Sequence, residues 1–335
     1  MVYVGVDLHR KTSQVVALDD EGAVLLTRRV ASRPDELMRV FGELEPATVE
    51  VAFEATFGWS WFADLLADAG ILAHMANPLA TKAISSARVK NDSVDAKTLA
   101  HLLRSNLLPE AWIAPPEARE ARRLARMRTS MVRMRTRLTC QVHALLAEHG
   151  ALPEMTDVFG RAGKRFLAEL ELPDISQARI EANVRLAEEI AGEVALAERE
   201  LRSLLRGDGR LARLTRIPGI GFITAATVLT EVWDVSRFPS ADRLSSWAGL
   251  TPSERSSAEH TRRGHISKQG SRWLRWVLVE AAARPQRDPD LRAFLDRIAV
   301  RRGTKIARVA LARRLLSLCY YALRDERGCR AYPAA

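Results

Sequence analysis

Cysteine, aromatic residues and long apolar runs are scarce in this chain, and each shortage closes off a class of protein. Three cysteines in 335 residues, Cys140, Cys319 and Cys329, cannot build a disulfide scaffold. They show no paired zinc-ligand spacing either, since Cys140 and His143 form one isolated pair on a helical stretch. Free thiols in a reducing cytosol are expected. Aromatic residues make up 6% of the chain. No segment approaches the roughly 20 apolar residues of a membrane span, and the start of the chain lacks a basic flank followed by a signal-type apolar core. A cytoplasmic location with no membrane partner follows as an expectation. What is abundant is arginine: 51 basic against 41 acidic residues give a net charge of +10, and the planar guanidinium suits phosphate, so a polyanion is the expected partner.

The first strand carries the first anomaly. Val2-Tyr3-Val4-Gly5-Val6-Asp7-Leu8-His9 is an apolar run broken by one carboxylate. An acid among Val, Gly and Leu loses hydration unless a cation or donor meets it, so Asp7 calls for either a structural partner in the following turn or a metal ion. Residues 13–18 and 23–30, separated by the turn Asp19-Asp20-Glu21-Gly22, complete an antiparallel meander. Ser32 is a candidate N-cap for a helix through Leu37, Val40 and Phe41. Residues 48–54 alternate as a fourth strand ending on Glu54, followed by a helix through Trp59, Phe62, Leu65 and Leu66 and a strand at 71–75. Past Pro78 a helical stretch leads to a helix through Leu99, Leu102 and Leu103, opened by Asp92 and Asp95 three apart on one face. Taken alone, that pair reads best as a capping acid and a first-turn acid. Taken together, the element order is that of a ribonuclease-H-like fold, in which the first and fourth strands are neighbours and Asp7 and Glu54 converge with Asp92 and Asp95. Four acids in one place need counter-charge, and Mg2+ is expected, with two ions about 4 Å apart serving in-line phosphoryl displacement.

Residues 117–149 read as one long helix, with Leu124, Met127, Met131, Met134, Leu138, Gln141 and Leu145 at the steps of a coiled-coil seam. Around it stand Arg119, Arg122, Arg123, Arg126, Arg128, Arg133, Arg135 and Arg137. Such density repels itself unless an anion or an acidic helix covers it. A second long helix, marked by Ile180, Val184, Ala187, Ala191, Val194, Leu201 and Leu205, carries Glu181, Glu188, Glu189, Glu193, Glu198 and Glu200. A coil closed in cis or trans and an arginine surface for nucleic-acid phosphates are both open, and compatible. Arg122, Arg123, Arg126 and Arg133 are the candidate contacts. Residues 150–173 read as a loop.

Gly207-Asp208-Gly209 ends the acidic helix, and 214–227 looks like a helix-hairpin-helix whose Gly219 and Gly221 let backbone amides meet a DNA phosphate. A plain helix-helix turn is the alternative. The Ser- and Arg-rich stretch 253–272 reads as a polar loop, either a linker or the seat of a serine nucleophile beside guanidinium groups. Arg262, Arg263 and Lys268 are candidate phosphate contacts there. Basic helices at 273–283 and 290–323 and a loose tail complete the chain.

The segments Val4-Gly5-Val6-Asp7, Phe53-Glu54-Ala55-Thr56, Lys90-Asn91-Asp92-Ser93-Val94-Asp95-Ala96, Ile217-Pro218-Gly219-Ile220-Gly221, Trp247-Ala248-Gly249-Leu250-Thr251-Pro252 and Ile266-Ser267-Lys268-Gln269-Gly270-Ser271 follow one another in a telling order. Over nearly its whole length the chain resembles the DEDD-type insertion-sequence transposases, a family described as bridge-RNA-guided recombinases. The resemblance implies an α/β plus α chain: an RNase-H-like DEDD metal domain over 1–115, a coiled-coil region over 116–206, and a mostly helical transposase domain with helix-hairpin-helix and serine loop over 207–335. It further implies a homo-oligomer, dimer or tetramer, working on donor and target DNA. The family's four acids fall on Asp7, Glu54, Asp92 and Asp95. Its nucleophilic serine, usually in a Ser-Gly pair, falls on Ser257, here followed by Ala258 and preceded by Ser256, which stays open as the other candidate. Ser267 reads as a phosphate contact.

The expected activity is excision and insertion of a mobile element at the nucleoid through a phosphoseryl intermediate, with Mg2+ held by the four acids and a bridge RNA supplying sequence choice. Two rivals stand beside it: a junction-resolving endonuclease in which metal-activated water attacks, and a non-catalytic nucleic-acid-binding protein.

Overall fold

A computed structural model describes the chain except for residues 45–47, 85–91, 258–259, 285, 326–327, 330–331 and 334–335. For the strand residues within 255–263 and 328–333 it describes the backbone alone. The chain forms two compact units, Met1–Ala114 and Pro115–Ala335.

The first unit runs β1 (Val2–Leu8), β2 (Thr12–Leu18), β3 (Val24–Ala31), α1 (Pro34–Gly42), β4 (Val49–Glu54), α2 (Trp59–Asp68), β5 (Leu72–Ala76), α3 (Pro78–Ile84), α4 (Asp92–Arg104) and β6 (Glu110–Ala111). Its six-stranded sheet has the order β3-β2-β1-β4-β5-β6, with β1 antiparallel to β2 and parallel to β4. This is a mixed α/β fold consistent with the RNase-H-like expectation. Side chains alternate across the sheet. Val2, Val4, Val6 and Leu8 pack with Val51 and Phe53 against Leu37, Val40 and Phe41 of α1 and Phe62 and Leu66 of α2. The opposite face packs Val16 and Leu18 against Ala96 and Ala100, and Ala52 and Ala76 against Leu99 and Leu103 of α4. The first helix starts one residue later than expected: Arg33 is the N-cap and Pro34 leads the helix. The Ser32 hydroxyl instead donates to the His9 carbonyl and bonds Ser13.

The second unit runs α5 (Pro116–Glu148), α6 (Arg161–Glu169), α7 (Asp174–Leu204), α8 (Gly209–Thr215), α9 (Phe222–Val232), α10 (Ala241–Trp247), β7 (Pro252–Ser257), β8 (His260–Ile266), α11 (Arg272–Ala283), α12 (Pro289–Arg302), α13 (Thr304–Arg324), β9 (Gly328–Cys329) and β10 (Tyr332–Pro333). Helices α5 and α7 lie antiparallel: Arg128 bonds Glu198, while Leu146 shares a cluster with Ile180. The buried stripe of α5 is Ala118, Ala121, Ala125 and Thr129, then Val142, Leu145 and Leu146. This differs from the expected seam, of which Met127 and Met134 are 48% and 56% exposed and Gln141 is also exposed. Small side chains let helix backbones approach closely, and a stripe of them carries a weaker apolar period than the longer Met and Leu beside it.

Four further expectations are corrected. Residues 150–173 contain α6, whose Leu167 joins Val158 in closing the end of the α5–α7 pair. The polar stretch at 253–272 is no loop: β7 and β8 form an antiparallel hairpin in which Ser257 pairs with His260 and Glu254 with Arg263. Between Pro252 and Ile266 its strand residues other than Gly264 are polar, so they give no apolar alternation to read. The helix expected at 290–323 breaks at Gly303, whose φ of +84° no β-carbon-bearing residue adopts cheaply. The tail pairs through β9 and β10.

One glycine decides how α4 sits. A β-carbon on Gly5 would lie 1.9 Å from the Ala96 carbonyl oxygen and 2.7 Å from the Ala100 nitrogen. Gly5→Ala therefore forces α4 off the sheet. The expected cost is about 3 kcal/mol, at the upper end of overpacking losses. Hydrogen exchange on the full chain checks it: β1 and α4 amides lose protection while those of α9 and α13 keep theirs.

Candidate active site

Register brings the first two acids together. Val6 of β1 pairs with Phe53 of β4, so Asp7 and Glu54 occupy the next positions of two parallel neighbours and share the α4 face. Asp92 opens α4 and Asp95 stands in its first turn. The Asp7 carboxylate is bonded to His9 Nε2 at 3.1 Å, and the same nitrogen lies 3.7 Å from Asp92 Oδ1. Ligand atoms of Asp7, His9 and Asp92 all fall within 4.8 Å of one another.

Asp7 is 7% exposed. Burial is the main cause that pushes its pKa above the ordinary carboxylate range; Asp92 and Asp95 push the same way and His9 opposes them. Two carboxylate oxygens and an imidazole nitrogen form a donor set that fits a divalent ion, hard enough for Mg2+ and tolerant of softer metals through the nitrogen. Sequence reasoning missed His9. The usable signal was its place two residues after Asp7, which puts both side chains on one face of an extended strand end.

The candidate contacts in the second unit have separate fates. Arg122 donates to the Thr230 and Glu231 carbonyls, and burial lowers its pKa. Arg126 makes a two-pronged pair, at 2.7 and 2.8 Å, with Glu231, a residue 1% exposed. These two arginines thus fasten α5 to the end of α9. Arg123 is exposed and pairs with Glu120, and Arg133 lies over the rings of Trp273 and Trp276. Gly219, at φ +83°, turns the chain between α8 and α9, and Gly221 is the N-cap of α9. Phe222, Ile223 and Thr224 of the first turn of α9 line a cleft of about 630 Å³ with Arg128, Arg133, Arg202 and Arg284.

Ser257 is the last residue of β7, and Arg262 and Arg263 lie on β8. The side chains of Ser256, Ser257, Arg262 and Arg263 lie outside the described residues. The base of their hairpin is described closely. A β-carbon on Gly249 would lie 2.1 Å from the Gln269 carbonyl oxygen, and one on Gly270 would lie 1.8 Å from that of Trp247. Ser267 N donates to Thr251 O, Lys268 N donates to Gly249 O, and Arg275 Nη1 donates to the carbonyls of Ala248, Gln269 and Gly270. The two motifs flanking the hairpin are thus a single clasp. Lys268 is exposed, at φ +56°.

A six-stranded mixed sheet carrying an acid on β1, another on β4 and two on a helix packed over that face defines a DEDD-type, nuclease-like domain. Comparison with known proteins gives the family. Residues 4–150 match the DEDD transposase family of IS110, and residues 211–296 match the transposase IS116/IS110/IS902 family. The chain is 27% identical over 323 residues to the transposase for insertion sequence element IS1111A of Coxiella burnetii, covering 92% of this chain and 86% of that one. It is 26% identical over 286 residues to the transposase for IS1328 of Yersinia enterocolitica, covering 83% and 82%. It is 36% identical over 130 residues to the insertion element IS110 uncharacterized 43.6 kDa protein of Streptomyces coelicolor, covering 38% and 32%. The chain belongs to the IS110/IS116 family of DEDD transposases, enzymes that cut and rejoin DNA. Among the described residues no helix is long and apolar enough to cross a membrane.

Burial of Asp7 ties metal to stability. Because its folded pKa is raised, its contribution is fully present below the ordinary carboxylate pKa of about 4 and is lost as pH rises through the raised value. Asp7→Asn therefore raises the melting temperature of the metal-free protein at neutral pH, with an advantage that shrinks towards acid. Added Mn2+ or Mg2+ raises the melting temperature of the wild type and leaves the variant unmoved. Thermal melts across pH, with and without metal, check both.

Proposed function

We propose that this transposase excises and inserts its element through a phosphoseryl link between Ser257 and DNA, with Mg2+ held by Asp7, Glu54, Asp92 and Asp95. The observation that carries the reading is the meeting of buried Asp7 with Asp92 on the sheet face that Glu54 shares. When bound, the ion, or a pair of ions, supplies a clamp on the scissile phosphate and charge stabilisation for the displacement. Strand pairing fixes the backbone of Asp7 and Glu54 and the seating of α4 fixes that of Asp92 and Asp95, so the four positions are set before substrate arrives. Ser257 is the nucleophile, on a hairpin whose base the Gly249–Gly270 clasp holds in one geometry: its hydroxyl oxygen bonds to phosphorus as the bond from phosphorus to one deoxyribose oxygen breaks, and that oxygen leaves as a hydroxyl, taking up a proton as the serine gives one up. Guanidinium groups of Arg262 and Arg263 neutralise the phosphate it attacks.

Exposed Arg123, Arg133 and Lys268, with the amides following Gly219 and Gly221, hold backbones of DNA and of a bridge RNA. Such contacts carry little sequence information, so base pairing by the RNA selects the site. Arg122 and Arg126 serve that surface indirectly, by holding α5 on α9. Donor and target DNA meet in a homo-oligomer, a dimer or tetramer, at the nucleoid.

Denaturing gels after reaction with DNA in Mg2+ test the nucleophile. Wild type and Ser256→Ala leave a covalent protein-DNA adduct, and Ser257→Ala leaves none and cuts at least 1000-fold more slowly, on the order of the loss when a catalytic nucleophile is removed. Cutting by Ser257→Ala at the wild-type rate assigns the attack to water and favours the endonuclease. Sequencing RNA that copurifies with the protein yields one discrete species; recombination by RNA-free protein contradicts guidance.

A further inference from the structure

Phe57 is 95% exposed, and it stands three residues beyond Glu54 on the segment joining β4 to α2. That segment is fastened on both sides of the sheet end. Ala55 N donates to the Ala76 carbonyl at 3.3 Å, and Thr56 N donates to the Glu54 carbonyl at 2.7 Å. The Thr56 hydroxyl donates at 3.2 Å to the carbonyl of Leu8, the residue between Asp7 and His9. Gly58, at φ +81°, then turns the chain into α2. The other aromatic residues of this run go inward: Trp59 and Trp61 pack against the core of the first unit. Phe57 alone of the three is left in water, on a base tied to the strand end that bears Asp7. A three-residue step spans at most about 11 Å of backbone, so the Phe57 Cα lies no farther than that from the Cα of Glu54.

An exposed phenyl ring on a tethered turn beside a DNA-cutting centre has an obvious counterpart in a nucleobase, whose flat face accepts aromatic stacking whatever its sequence. Apolar side chains inserted at a base step part-unstack it and bend the backbone. We infer that Phe57 is a stacking wedge: its ring packs against a base next to the scissile phosphate, opens that step, and holds the strand so that the phosphate lies over the acids. The inference rests on the assignment of the Asp7 cluster as the cutting centre. It makes Phe57 a positioning residue.

The test uses the full-length protein and a duplex spanning a mapped cut position, with 2-aminopurine replacing adenines around it, at protein concentrations that saturate the DNA by anisotropy. Wild type raises 2-aminopurine fluorescence severalfold beside the cut. Phe57→Ala abolishes the rise and slows cutting by roughly ten- to hundred-fold, while its melting temperature still responds to Mn2+; Phe57→Trp keeps both the rise and the rate. Fluorescence unchanged in Phe57→Ala overturns the inference. So does a fall in oligomer mass by light scattering with the fluorescence intact, which assigns the ring to a protein interface. Failure of the metal centre has a separate signature, absence of any Mn2+ response in the wild type.

Discussion

Strand β1 and helix α4 touch main chain to main chain at Gly5, and the positions of the acids follow from that contact. Ala96 is the point of closest approach. From there Asp92 lies four residues back along the helix, about 6 Å, and Asp7 lies two residues forward along the strand, about 6.6 Å. The two steps are nearly equal, so a helix running back over the strand delivers both carboxylates to the same height. A larger residue at position 5 would lift the helix and separate donors that now lie within 4.8 Å. The small residues Ala96 and Ala100 complete the fit from the helix side.

The second unit uses the same device at another place. Gly249 and Gly270 each press against the other's motif, and the guanidinium of Arg275 gathers three of the carbonyls left there. Two segments about twenty residues apart become one support for the hairpin that carries Ser257. Elsewhere in that unit a buried carboxylate does comparable work: Glu231 takes both prongs of Arg126 at the end of α9. Removing Arg126 strands the buried charge of Glu231, whereas removing Glu231 leaves a guanidinium that water already reaches. Part of the positive charge that suggests a polyanion is therefore already committed inside the fold.

How much of this was legible depended on whether the signal was local. Asp7 and Glu54 could be placed on one face because strand alternation and strand order are both written in apolar patterns. Asp92 and Asp95 followed from helical spacing. His9 was overlooked because a histidine after a strand looks like turn material until the acid two residues earlier is known to be buried. Arg122 and Arg126 look like their exposed neighbours because their partners, Thr230 and Glu231, lie more than a hundred positions away. The Met-bearing stripe of α5 had the stronger apolar period, yet close helix contact selected the alanines. The β7–β8 hairpin was illegible for the opposite reason: hydrogen-bonded ladders form between polar residues as readily as between apolar ones, and leave no periodic mark.

The rims of the N-terminal sheet complete the picture. On one side the outermost strand is β3, which places Arg28 and Arg29 in the middle of its length; on the other it is β6, only two residues long. Charge on one border and brevity on the other both discourage a stranger's backbone from zipping on. That sheet is therefore poorly suited to grow sideways by adding a strand from another chain, and its borders are kept from seeding aggregation.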